Sequence, residues 1–245
     1  MDYRGARYYD SDVARFLSID PWAEKYPSWS TYNYVMGNPV RFIDPTGKGV
    51  ESTHLDKNGR VLHSVDDGDN GVYLHENAYT DADVKKNYKS DNTSAGGKKI
   101  GEIGGTINID KIYANIIETH VSMAKELYNP FEFKNLVKTG GDWDLKSNMK
   151  TIFGVANDGK TTFSFKGTLM ESQDVGNHHF GIVALAFGLF PSETFILKQA
   201  GEYQIKSKTS KPEWRKDPDK PPYGDDPRDQ KFIKAGFQYY KKKWG

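Results

Sequence analysis

Apolar positions in residues 106–245 recur at helical spacing. Ile109, Ile112, Ile116, His120, Ala124 and Leu127 fall three or four apart, which predicts an amphipathic helix over 110–128, capped by Asn108 or Asp110. The apolar run 180–188 predicts a short buried helix. Pro191-Ser192-Glu193 predicts the start of another helix, reaching about Glu202, with Ser192 as N-cap. A last helix is predicted over 227–240, with Phe232, Ile233, Gly236 and Tyr240 on its inner side. Between these, 151–156 and 161–165 alternate as strands around Asn157-Asp158-Gly159-Lys160, the pattern of a β-hairpin.

Upstream the period changes. Residues 53–62 read strand, Asn58-Gly59, strand, and 71–74 predict a further strand. Residues 85–105 are polar and rich in Gly, Ser and Lys, the composition of a flexible linker. Residues 1–50 form short aromatic strands broken by Asn-Pro and Asp-Pro-x-Gly turns, a strip that needs a larger β-surface to cover its rings. The expected organisation is α+β. A β-rich segment (1–50) and an acidic β-hairpin spacer (51–105) precede a mainly helical domain with one β-hairpin (106–245).

Composition narrows the chemistry. The 245 residues contain no Cys, which excludes disulfides, thiolate nucleophiles and Cys-type zinc sites. No apolar run approaches the ~18–20 residues that span a bilayer, so no transmembrane segment is expected. The N-terminus lacks a basic-then-apolar signal, and export is expected to depend on a larger parent or a carrier. The net charge of +1 is unevenly spread: 51–83 carry eight acids against two bases, and 203–245 carry twelve bases against six acids. Such a basic tail can hold a polyanion such as RNA, or be a solvated chain end. His54, His63 and His75 fall on separate short strands without ligand spacing, which favours structural roles over a metal site.

Three clusters concentrate polar groups beside predicted core elements. The first contains Gly140, Gly141, Trp143, Asp144 and Lys146. An Asp/Lys pair there can position or neutralise phosphate charge, or be a surface ion pair at a helix start. The second runs from Asp174 through Gly176, Asn177, His178, His179 and Phe180 to Gly181. Its glycines allow tight bending and close approach to a ligand, and His179 can exchange protons near neutral pH. Alternatively, Asp174 and Asn177 cap the helix and His179 is a half-buried side chain. The third holds Tyr223, Gly224, Asp225, Asp226, Pro227 and Asp229. Its aspartates can take a divalent cation, but Asp-Asp-Pro before a helix is also an N-cap with Pro at N1.

Two resemblances organise these observations. The motifs Asp2-Tyr3-Arg4-Gly5-Ala6-Arg7-Tyr8-Tyr9-Asp10, Arg15-Phe16-Leu17-Ser18-Ile19-Asp20-Pro21, Gly37-Asn38-Pro39 and Phe42-Ile43-Asp44-Pro45-Thr46-Gly47 resemble, in this order, the closing part of an Rhs repeat-associated core. That resemblance implies a hollow β-shell enclosing a C-terminal toxin. Lys48 stands where the family's autocleavage stretch carries Leu, which puts self-cleavage near Asp44-Pro45 in doubt. The three polar clusters, together with Ala200-Gly201, resemble the bacterial toxin 44 group of polymorphic toxin domains over roughly 110–241. Phe180 replaces the Tyr of that group's His-Tyr-Gly version, and His178 an apolar residue; neither change removes His179.

The resemblance implies a toxin effector of interbacterial competition, neutralised by a cognate immunity protein and exported from the producing cell to act in a target cell. Its expected activity is RNA cleavage without metal or cofactor. His179 would act as acid/base, Asp174 would orient it, Lys146 would meet phosphate and Asp144 would position the lysine. Trp143, Asn177, Tyr223, Asp225, Asp226 and Asp229 are the expected binding residues. Two alternatives stand beside this one. One is a peptidoglycan-degrading toxin using Asp174 with Asp144 or Glu118 as paired carboxylates. The other is a non-enzymatic binding or adhesion module.

Overall fold

The computed structural model of the chain describes residues 2–3, 7–19, 30–34, 51–217 and 219–245. Two compact units share the sequence: residues 1–112 with 149–169, and 113–148 with 170–245. They interleave along the chain, whereas the boundaries expected from the sequence at 50/51 and 105/106 divide it continuously.

The first unit opens with a three-stranded antiparallel sheet, β1 (Asp2–Tyr3), β2 (Tyr8–Asp10) and β3 (Arg15–Phe16). The aromatic strip covers part of itself. Tyr9, Phe16 and Tyr34 are buried with ring centroids 4.2–5.8 Å apart, and the Arg7 guanidinium sits 3.6 Å over the Phe16 ring. Such ring pairs add roughly 0.5–1.5 kcal/mol each beyond their buried area. Asp44-Pro45 lies outside the described residues.

A seven-stranded sheet follows, in the order β10-β9-β8-β7-β6-β4-β5. The predicted Asn-Gly hairpin is its edge: β4 (Glu51–Leu55) pairs antiparallel with β5 (Val61–Asp66) around Gly59, whose φ is +73°. β6 (Gly71–Leu74) runs parallel to β4. The short helix α1 (Asp81–Lys85), begun by a Thr80/Asp83 capping box, buries Val84 against Leu62, Ala78 and Ala95.

The 85–105 stretch, expected as a flexible linker, supplies β7 (Lys98–Glu102), which pairs with β6 and with β8 (Thr106–Asn108). Its polar composition misled because β7 itself buries no side chain fully and is held by backbone pairing, with Ala95 and Ile103 the buried side chains of the stretch. The hairpin expected over 151–165 is also displaced. Residues 152–155 form a helical turn, α4 (Ile152–Val155), with Ile152 and Phe153 fully buried, while β9 (Thr162–Phe165) runs parallel to β8. A short apolar run buried on all sides carries no period to separate helix from strand. A hairpin does occur one strand later. β9 turns into β10 (Thr168–Met170) through Lys166 and Gly167 at φ +48° and +80°, both positive as a type I′ hairpin turn requires.

The second unit is helical. The periodic stretch from 110 is α2 (Asp110–Glu126), and the Asn108 side chain accepts the Asp110 N–H at 3.0 Å. Next come α3 (Pro130–Val137), a 3₁₀ turn at Leu145–Ser147, α5 (Ser172–Phe187), α6 (Glu193–Lys206) and α7 (Pro227–Trp244). Ser192 caps α6, and Asp226 caps α7 with Pro227 at N1, as the capping readings expected.

Helices α5 and α7 are in backbone contact. A Cβ on Gly181 would overlap the Ile233 carbonyl, and one on Gly236 would overlap the His178 carbonyl. Gly181→Ala is therefore expected to destabilise the fold by about 1–3 kcal/mol or more, as overpacking does, read as a lower denaturant midpoint. An unchanged midpoint would mean that the crossing can open by an ångström without cost.

Candidate functional site

His179 lies on the buried face of α5 and is 1% exposed. Its Nε2 is 2.9 Å from Nδ1 of His120 on α2, and the His120 ring stacks on Trp143 at 4.8 Å and 17°. One imidazole must donate and the other accept, so the bond needs at least the accepting ring neutral and is lost if both are protonated. Burial enforces this. It lowers the His120 pKa to about 4, and it holds His179 well below the usual histidine value, helped by the neighbouring His120 and His178. His178 points elsewhere, toward Tyr113, whose hydroxyl is 2.9 Å from its Nδ1; burial lowers its pKa to about 4.

Asp174 does not orient His179. Five residues along an α-helix amount to about 140° of rotation, which turns the two side chains to different faces. Asp174 instead joins a capping box with Glu171 and takes a bidentate grip from Arg228 on α7: Nε to Oδ1 at 2.9 Å and a terminal nitrogen to Oδ2 at 2.7 Å. Glu171 adds a second carboxylate 2.8 Å from Arg228, and the two acids raise the guanidinium pKa. The Asp174 side chain is 1% exposed. Arg228→Ala is expected to cost about 3–5 kcal/mol of stability by stranding that charge, measured by denaturant unfolding. A loss below about 1 kcal/mol, the range of an exposed pair, would show that water reaches Asp174.

A cavity of about 660 Å³ opens in this unit. Trp143, Asp144, Lys146, Asn177, His179, Asp225 and Asp229 all line it, so residues from all three polar clusters meet on one surface. Asp174, Tyr223 and Asp226 are not on its wall. Asp226 is spent on the N-cap, where its side chain accepts the Arg228 N–H at 2.8 Å. Tyr223 serves through its backbone: α6 passes so close that a Cβ on Gly201 would overlap the Tyr223 carbonyl. The glycines of the second cluster do not bend the chain. Gly176 and Gly181 lie inside α5; Gly181 admits the α7 backbone, whereas a Cβ at Gly176 would only touch the Lys146 side chain at ordinary contact distance.

Each wall has a local cause. After α3 the chain reverses at Gly140, φ +76°, and the Gly140 N–H donates to Asp144 Oδ2 at 2.9 Å. Asp144 thus closes the turn that presents Trp143 and Lys146. On the opposite wall, Gln204 of α6 donates to Asp229 Oδ2 at 2.7 Å. Burial raises the Asp229 pKa, with Lys146 working against the rise. Asp225 is raised further, to about 7, by burial and by the charge of Asp229. Phe131, Phe190, Phe195 and Tyr203 form the rim, with Phe131 76% exposed. Among the described residues no group of three or more His, Asp or Glu side chains is arranged to hold a metal ion, and none of the helices can cross a membrane.

The carboxylate pairs considered for glycan cleavage are not assembled either. Asp174 is held by Arg228 and Glu118 pairs with Lys243, leaving only Asp144 of the three on the cavity wall. His120, Gln204 and Arg228 were not singled out from the sequence as site residues. The available signal for the first was an imidazole at an apolar position of the α2 repeat.

This arrangement coincides with a known domain. Residues 132–242 match the family model for bacterial toxin 44. The match indicates a bacterial toxin domain, spanning α3 to most of α7 and including all the cavity-lining residues of the three clusters. His120 lies upstream of the matched residues. No curated protein and no solved structure matches the chain.

Proposed function

We propose that the toxin domain is a metal-independent ribonuclease whose active site is the cavity holding His179. The observation that carries this reading is the convergence there of a neutral imidazole, Lys146 and carboxyl groups from three distant segments. A neutral imidazole can take the proton of a ribose 2′-hydroxyl. His120 engages Nε2, so a group in the cavity meets Nδ1, and the His120–Trp143 stack fixes the ring. Lys146 supplies positive charge for the phosphate. His120 thereby takes the orienting role that the sequence assigned to Asp174. The lysines and aromatic rings of the rim suit a backbone of phosphates carrying unstacked bases.

In this reading the chain is a polymorphic toxin effector used between bacteria and exported to act in a target cell. Residues 1–50 are the end of an Rhs shell or of another carrier, residues 51–105 the spacer and 106–245 the toxin region, and a cognate immunity protein silences the cavity. A second reading has its own support: Asp225 and Asp229, both with raised pKa, face an aromatic-walled cavity, as a peptidoglycan hydrolase would require.

Induced cytoplasmic expression of the full chain, followed by total RNA on a gel, separates these readings. Growth arrest with RNA loss is expected. Arrest only on delivery to the periplasm, with intact RNA, would replace the ribonuclease by the glycan hydrolase. Harmless soluble expression in both compartments would leave a binding module.

A further inference from the structure

The cavity wall contains an acid whose ionised form it cannot support. Asp225 is 1% exposed; its Oδ1 accepts the Asp226 N–H at 3.0 Å, and its Oδ2 is buried with the Gln230 side chain as its one polar neighbour in hydrogen-bond reach among the described residues. A carboxylate oxygen in that position loses its hydration, and the Gln230 side chain makes up only part of the loss, so the carboxyl is favoured in its neutral form. The charges of Asp229 and Asp226 reinforce this, and that of Lys146 on the cavity wall works against it. Asp226 and Asp229 approach from α7, Glu202 lies on the α6 wall, and Asp144 and Lys146 come from the turn after α3. Gly201 lets α6 press on the 223–225 backbone, which fixes the carboxyl where it stands.

We infer that Asp225 is the proton donor of this cavity, a neutral carboxylic acid that protonates the leaving oxygen of the bond being cut. The inference rests on the ribonuclease reading for the identity of that oxygen. The 2′-oxygen attacks phosphorus and its proton passes to Nδ1 of His179. The bond from phosphorus to O5′ breaks, the electron pair stays on O5′, and O5′ takes the proton from Asp225. The products are a 2′,3′-cyclic phosphate and a 5′-hydroxyl, and both side chains return to their starting states by exchange with water. His179 is held too far below neutrality to donate, so the acid has to come from elsewhere. With a pKa raised to about 7, Asp225 keeps its proton at the pH where His179 is already a base. Environments that push two groups apart in this way divide the acid and base roles.

Two measurements on the full chain test this. Infrared difference spectra of wild type against Asp225→Asn should show a protonated-carboxyl stretch at pH about 6 that disappears above pH about 8. Its absence at pH about 6 overturns the proposal without any assay. In the second, a dinucleoside monophosphate is compared with a uridine 3′-(p-nitrophenyl phosphate), whose leaving group needs no proton. Asp225→Asn should slow the first by about 10²-fold or more and the second by less than about tenfold. Equal losses on both would make Asp225 structural and overturn the proposal. If wild type cleaves neither probe, the ribonuclease reading fails instead; alkyl and p-nitrophenyl glycosides then replace the two phosphodiesters, with the same two outcomes for Asp225.

Discussion

His179→Gln is expected to lower RNA cleavage by about 10²–10⁴-fold, the span for loss of a positioned proton-transfer group, while the protein still unfolds near the wild-type midpoint. Glutamine is the informative change because it fills most of the space and can still bond His120. Alanine would add a void beside Trp143 and an orphaned imidazole, so its effect would mix packing with chemistry. His120→Gln probes positioning rather than proton transfer. It should lower kcat less than the His179 change, and it should shift the acidic limb of the kcat/KM profile, since the pKa of His179 is set partly by His120. A folded His179→Gln chain that degrades RNA at the wild-type rate would remove His179 from the mechanism and leave the cavity to its carboxyl groups.

What the sequence disclosed, and what it withheld, follows from the range of the interactions. The 110–126 helix was legible because its apolar residues repeat over several turns. The caps at Ser192 and Asp226 were legible because they act on residues two or three away. The three polar clusters stood out because short strings of Gly, Pro and chemically active residues flank core elements, and the cavity does join them. Their pairings were not legible. His179 with His120, and Asp174 with Arg228, lie 59 and 54 residues apart. Both depend on which face of α5 meets which helix, and that is fixed by the crossing at Gly181 and Gly236 rather than by any local pattern. The same limit explains β7, a strand held by its neighbours in a stretch whose composition argues for a linker.

Acidification offers a larger test of the buried imidazoles, with the sign set by which state binds more protons. An unfolded chain protonates its histidines near pH 6.5, whereas His120 and His178 in the folded chain wait until about 4 and His179 goes lower still. Between those limits the unfolded state binds more protons, so stability falls as the pH falls. It is fully present above about 6.5 and lost progressively toward about 4. A shift of that size amounts to about 3 kcal/mol per imidazole, a large share of the roughly 5–15 kcal/mol that holds a domain together. Asp225 works in the opposite direction. Its folded pKa of about 7 exceeds the ordinary value of 3.8, so the folded state holds the extra proton between them and acidification returns stability. Three imidazoles outweigh this carboxyl, and a net loss of several kcal/mol is expected between pH about 7 and about 4, read as a falling denaturant midpoint. His178→Gln should flatten the decline. Asp225→Asn should be more stable than wild type above pH about 8, where the native carboxylate is ionised in a buried wall, and should converge with it only toward pH about 4. A midpoint that stays level from pH 7 to 5 would mean that the imidazoles titrate as exposed groups, and that the His120–His179 bond does not hold the site together in solution.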